Sequence, residues 1–332
     1  MKITFFSTQP YDRESFTKYC ADTCFEFVFL EEKLTERTVF LADGSDAVCV
    51  FVNDCLNEAV IRQLARLNIP LIALRCAGFN NVDLKAAQIC NIRVVRVPAY
   101  SPHAVAEHAL AMIMALNRKT HKAYNRIREQ NFSLNGLLGF DLYKKTVGVI
   151  GTGHIGEVFC RIMHGLGCNI LAYDPVKKPE MEKMSVSYVA VNTLLPQCDI
   201  LSLHCPLNEK TRYLINNETI AQMKTGVMLI NTGRGGLVDT RAVIAGLKSG
   251  KIGYLGIDVY EQEEDLFFRN LSDQIILDDT IARLMTFPNV LITAHQGFFT
   301  QEALGQIALT TFDNVKQFLA GEIPVNEVKV DD

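Results

Sequence analysis

Thr146-Val147-Gly148-Val149-Ile150-Gly151-Thr152-Gly153-His154-Ile155-Gly156 is the stretch whose reading decides the fold. Its first five residues are a short, largely apolar run, as expected of a strand buried in a parallel sheet. The last six match G-x-G-x-x-G and open a helical pattern over residues 155–166. Each glycine has a physical task. Gly151 permits a tight turn, Gly153 lets a pyrophosphate approach the backbone, and Gly156 lets helix and strand pack closely. Unpaired N–H groups at the helix start then face the phosphates. Asp174 ends the next strand, eighteen residues beyond Gly156. There a carboxylate accepts hydrogen bonds from ribose hydroxyls and repels a 2′-phosphate. Strand, glycines, helix and acid in register predict a dinucleotide site that takes NAD rather than NADP, although Lys177 and Lys178 follow closely. An adenosyl-methionine methyltransferase also carries a glycine-rich loop and a later acid, and stands as the alternative for this motif taken alone.

Outward from this unit the chain keeps alternating. Strands are expected at residues 169–173, 187–191, 200–204, 227–231, 254–259 and 290–293, with helices between most of them, such as 237–248. That is the pattern of a doubly wound sheet. Upstream, short apolar runs at 3–7, 25–30, 47–52, 71–76 and 93–97, with helical stretches at 57–67 and 83–89, predict a smaller α/β unit. Val97-Pro98-Ala99-Tyr100-Ser101-Pro102 interrupts the rhythm. Ser101 suits an N-cap and Pro102 a first helical position, so one long helix is expected from about His103 toward Gln130. A last amphipathic helix, 302–319, is expected to return to the first unit.

The 332 residues are 48% hydrophobic and 21% charged, with a formal net charge of −4, as in ordinary globular proteins. No basic face stands ready to neutralise phosphates, so nucleic acid is not an expected partner. No run nears the roughly 18–20 apolar residues of a membrane span, since the richest, 104–116, carries Glu107 and His108. The opening residues suit a strand better than a secretory signal, which points to a cytoplasmic protein with reduced thiols. Ten cysteines occur without a Cys-x-x-Cys pair, and Cys20 and Cys24 have no nearby histidine, so no metal is expected.

In a doubly wound sheet, ligands lie beyond the carboxyl ends of the strands. Arg234 follows one such strand in Asn231-Thr232-Gly233-Arg234-Gly235-Gly236, and His295 follows another in Thr293-Ala294-His295-Gln296-Gly297. An arginine's planar fork suits a carboxylate, and a histidine suits proton transfer. Singly, Arg234 reads equally as a surface ion-pair arginine and His295 as an inert loop residue. An acid to orient the histidine is available in Tyr260-Glu261-Gln262-Glu263-Glu264-Asp265, where spacing does not separate Glu263 from Glu261 or Glu264. His204 ends a strand and is expected to line the cofactor cleft. His103, His108, His121 and His164 fall on presumed helices, where a structural or solvated role is expected. The residues thus lead to an NAD enzyme with an arginine, a histidine and an acid at strand ends.

At these residues the chain resembles the D-2-hydroxyacid dehydrogenase family, and within it the bacterial fermentative D-lactate dehydrogenases. The resemblance runs over nearly the whole chain. It is most specific at Arg75-Cys76-Ala77-Gly78-Phe79-Asn80-Asn81-Val82-Asp83, Val97-Pro98-Ala99-Tyr100, Val105-Ala106-Glu107-His108, the Gly151 loop, Asn231-Thr232-Gly233-Arg234-Gly235, Gly256-Ile257-Asp258-Val259-Tyr260-Glu261 and Ala294-His295. It implies that Arg234 orients the substrate, that His295 is the acid/base and that Glu263 is its partner. It places His154, Ile155, Asp174, Cys205, Pro206, Thr211, Thr232, Gly233 and Asp258 at cofactor positions, alongside His204, Arg234 and His295. Backbone N–H groups of Ala77 and Gly78 would bind the substrate carboxylate, with Tyr100 bordering it. Gly233 stands where the family often has serine.

The implied architecture is α/β, with two doubly wound parallel-sheet domains and a cleft between them. A flavodoxin-like substrate domain comprises 1–99 and 299–332, and a Rossmann NAD domain comprises 100–298. The implied reaction exchanges pyruvate and D-lactate, and Phe51, Tyr100, Phe298 and Phe299 are expected to crowd the pocket around a methyl group. A larger 2-keto acid is the alternative substrate. The implied assembly is a homodimer or homotetramer. A reading of another class, an NAD-sensing scaffold or corepressor, would retain the same residues. Balanced charge and the lack of partner motifs weigh against it.

Overall fold

The computed structural model describes residues 1–19, 25–263 and 266–330. Cys20 and Cys24, considered above as metal ligands, and Glu264, considered as the acid, lie outside them. The chain divides into two compact units, Met1–Ser101 with Phe299–Asp332, and Pro102–Phe298.

The first unit alternates β1 (Lys2–Phe5), α1 (Pro10–Tyr19), β2 (Glu26–Phe29), β3 (Ala47–Val50), α2 (Glu58–Arg66), β4 (Leu71–Leu74), α3 (Leu84–Ile89) and β5 (Arg93–Val95). All pairings among its five strands are parallel, in the order β2-β1-β3-β4-β5, a flavodoxin-like sheet. β3 and β4 are buried at every position, which explains their unbroken apolar sequences. α2 begins where the Asn57 side chain accepts from the Val60 N–H, and it buries Val60, Ile61 and Leu64 on one face. The chain's last helix, Gln301–Leu319, also belongs to this unit and packs on α1 and β4.

The second unit begins with α4 (Pro102–Arg118) and α5 (Thr120–Arg128). It continues through β6 (Thr146–Ile150), α6 (His154–Gly165), β7 (Asn169–Tyr173), α7 (Pro179–Lys183), β8 (Val186–Tyr188), α8 (Val191–Leu194) and β9 (Ile200–Leu203). It ends with α9 (Asn217–Gln222), β10 (Val227–Asn231), α10 (Thr240–Lys248), β11 (Ile252–Ile257), α11 (Asp279–Met285) and β12 (Val290–Ile292). The Gln301–Leu319 helix is then α12. Seven strands run in the order β12-β11-β10-β9-β6-β7-β8, every pair parallel. The order reverses between β6 and β9, the switch point where a doubly wound sheet opens a crevice. Both faces are covered, by Phe159, Met163, Met112 and Leu116 among others on one side and by Leu194, Ile220, Val243 and Leu247 on the other.

Two expectations need correction. The helix expected from about His103 toward Gln130 is broken, because Lys119 takes a left-handed backbone (φ 50°) between α4 and α5. Its ammonium donates to the Gly136 and Leu138 carbonyls, tying the turn to the segment that follows. The helix expected from residue 237 starts instead at Thr240. Val238 is extended and bridges to Ile215, and Asp239 is the cap, accepting from the Arg241 and Ala242 N–H groups.

Candidate active site

The glycine loop joins β6 to α6 at the switch point. Gly151 has φ 94°, and a Cβ there would lie 2.5 Å from the Cys205 nitrogen and 2.6 Å from the His204 carbonyl carbon. A Cβ on Gly156 would collide with the Gly151 carbonyl. At Gly153 a Cβ would meet no protein atom within 4 Å, so the start of α6 faces open space. Asp174, at the end of β7, accepts from the Thr152 N–H (2.7 Å) and the Val176 N–H (2.9 Å). Its carboxylate thereby closes the loop around the first glycine. Thr232 is buried, and its hydroxyl has no hydrogen-bond partner among the described residues. An open helix start, an acid at the neighbouring strand end and an orphaned hydroxyl fit a bound dinucleotide. His154 stands exposed at the start of α6, with Ile155 half-buried beside it.

Beyond β9, the Thr211 hydroxyl donates to the Pro206 carbonyl (2.6 Å) and shapes the loop after Cys205. Burial pushes the Cys205 thiol up to about 11, which keeps it protonated. The His204 ring packs on Phe159 at 4.8 Å, and its Nε2 shares a 2.8 Å hydrogen bond with the Ser202 hydroxyl. Burial lowers its pKa to about 3, so it supports the loop as a neutral ring.

The groups expected to carry the chemistry cluster on adjacent strand ends. His295 Nδ1 lies 2.8 Å from Glu263 Oε1. The Tyr260 N–H donates to Glu263 Oε2 at 3.0 Å, fixing the carboxylate. Glu261 is engaged elsewhere, accepting from the Thr240 N–H (3.0 Å) and the Tyr213 hydroxyl (2.8 Å). Structure therefore separates the two acids that spacing could not. Arg234 follows β10, and its guanidinium donates to the Gly233 carbonyl (2.8 Å). Among the described residues no carboxylate pairs with it, which leaves its charge available for an anion. A Cβ on Gly233 would make only ordinary contacts, so a small side chain would also fit there.

Asp258, expected at a cofactor position, is bonded within the protein. Its carboxylate accepts from the Gln296 N–H (2.7 Å), the Gly297 N–H (2.8 Å) and the Thr293 hydroxyl, while its carbonyl accepts the His295 N–H (2.7 Å). Burial raises its pKa, but hydrogen bonds from His108, Thr293 and Gln296 outweigh that and hold it below the usual carboxylate range. This clamp carries no signature in spacing.

In the first unit, Ala77 and Gly78 follow β4. Neither N–H finds an acceptor among the described residues. The Ala77 carbonyl accepts from Arg96 (3.0 Å). Phe51 lies under the Arg75 guanidinium at 5.0 Å, and Phe299 packs on Tyr11 at 4.8 Å. Phe298, in the second unit, is 6.4 Å from the His295 ring.

The sequence signature described as D-isomer specific 2-hydroxyacid dehydrogenase, NAD binding domain, matches residues 110–297. The chain is 51% identical over 328 residues to a 2-hydroxyacid dehydrogenase homolog of Haemophilus influenzae, covering 99% of each. It is 48% identical over 328 residues to the D-lactate dehydrogenase of Escherichia coli, covering 99% of this chain and 100% of that one. The apo-structure of D-lactate dehydrogenase from Escherichia coli superposes with a TM-score of 0.91 at 47% identity, over 99% of this chain and 100% of that one.

His204 makes stability depend on pH with a definite sign. Its folded pKa of about 3 lies below the 6.5 of a free histidine, so below pH 6.5 the unfolded chain gains a proton the fold refuses. Stability falls as pH drops from 6.5 toward 3, and His204→Asn should flatten that fall in urea titrations. Parallel pH dependences for the two proteins would contradict the assignment.

Proposed function

The chain belongs to the D-isomer specific 2-hydroxyacid dehydrogenase family and is an NAD-dependent enzyme, and on that premise we propose that it interconverts pyruvate and D-lactate. The observation that carries the reading is the 2.8 Å pairing of His295 with Glu263, one strand end away from an arginine that no described carboxylate neutralises. Bound NADH supplies the hydride. Arg234 holds the substrate carboxylate through its planar fork. Glu263 takes the Nδ1–H of His295 and keeps its Nε2 as the atom that exchanges a proton with substrate. As the keto carbon is reduced, the carbonyl oxygen gains negative charge and receives the Nε2 proton. The reverse reaction needs the neutral ring, whose Nε2 then accepts the hydroxyl proton.

Asp174 is assigned to the adenine ribose, and the N–H groups at the start of α6 to the pyrophosphate. Phe298, 6.4 Å from the His295 ring, is assigned to the pocket that prefers a methyl group. A larger 2-keto acid is the second reading, consistent with relatives that carry the general 2-hydroxyacid name.

We assign the second unit to a homo-oligomer interface as well. α5 buries none of its residues, and Tyr124, Ile127, Phe132, Leu134, Leu138 and Tyr143 are exposed in one stretch of chain. Apolar surface of this extent marks an interaction face.

Purified protein should oxidise NADH when pyruvate is added, faster than with bulkier 2-keto acids. Arg234→Gln should lower kcat/KM about a hundredfold or more. Preference for a bulkier acid would change the substrate, and an effect of Arg234→Gln below about threefold would remove it as the clamp. Light scattering should give the mass of a dimer or tetramer, and a monomer mass would overturn the interface.

A further inference from the structure

His108 lies on α4, in the Val105-Ala106-Glu107-His108 stretch that the sequence assigns to a helix with no chemical task. Its Nε2 is 3.0 Å from the Thr293 hydroxyl and 3.3 Å from Asp258 Oδ1. The Thr293 hydroxyl donates its only hydrogen to Asp258 Oδ1. A hydroxyl that has donated can only accept from a further neighbour. The Nε2 of His108 must therefore carry a hydrogen, and the tautomer follows from the network. His108, Thr293 and the Gln296 N–H converge on Oδ1 of one buried carboxylate, and the Gly297 N–H takes Oδ2.

Those peptide groups flank the loop that carries His295. His295 itself sits at φ 53°, a left-handed backbone that a side-chain-bearing residue adopts only under constraint. Its N–H donates to the Asp258 carbonyl, so the same residue holds the loop through main chain and side chain. Gly297 admits the arrangement, since a Cβ there would come within 2.9 Å of Asp258 Oδ2 and 3.5 Å of the His108 ring.

We propose that His108 is a positioning residue for the reaction: its Nε2–H, with Thr293, fixes the Asp258 carboxylate that aims the His295 loop. The proposal rests on His295 being the acid/base. The His108 and Thr293 donors hold Oδ1 at the place where it also meets the Gln296 N–H, which leaves Oδ2 turned to Gly297. Losing the His108 donor frees the carboxylate to rotate and loosens the His295 backbone, with no change at the glycine loop.

The test uses five variants of the full chain. His108→Leu should lower kcat for pyruvate reduction about tenfold while leaving the NADH dissociation constant within about twofold. His108→Gln, whose amide nitrogen reaches where Nε2 stands, should recover most of the loss. His108→Asn, which is too short, should not. Thr293→Val should cost about as much as His108→Leu, and the double variant little more than either, because both act through one carboxylate. Unchanged kcat in His108→Leu overturns the proposal, as does equal loss in the Gln and Asn variants or full additivity of the double variant. If the unaltered protein reduces no 2-keto acid, the functional reading itself fails, an outcome distinct from all of these.

Discussion

The site depends on one buried carboxylate. Asp258 stands just past β11 and ties that strand end to the segment following β12, through bonds to Thr293, Gln296 and Gly297. They help to offset the left-handed backbone of His295, which costs roughly 1–2 kcal/mol. With them, Nδ1 of the ring meets Glu263, whose second oxygen is gripped by the Tyr260 N–H. Placement of the histidine proposed as acid/base is thus achieved by hydrogen bonds from two neighbouring strand ends rather than by packing alone.

The parallel sheet explains why such groups meet at all. Because every pairing in the seven-stranded sheet is parallel, all carboxyl ends fall on one edge. Asp174, Arg234, Asp258 and His295 follow β7, β10, β11 and β12 in turn. Residues far apart in sequence converge there without long loops. The reversal between β6 and β9 adds the glycine loop to the same edge.

Legibility in the sequence followed locality. The glycine loop and Asp174 can be read because turn, strand and acid lie within one βαβ unit, and their chemistry depends on backbone shape. Arg234 and His295 stand out only as polar residues just after apolar strands. The acid partner could not be read from spacing, since the choice between Glu261 and Glu263 is made by bonds to Thr240, Tyr213 and Tyr260 that the order of residues does not reveal. The α4–α5 break was hidden because Lys119 favours helix intrinsically, and its left-handed turn is imposed by carbonyls seventeen and nineteen residues on. His108 looked structural for a related reason: a helix position says nothing about the strand end it faces.

The measurement that bears most directly on the account is chiral analysis of the product formed from pyruvate and NADH by the purified protein. D-lactate, in amounts matching the NADH consumed, is the predicted result. L-lactate, a racemic mixture, or no lactate at all would contradict it.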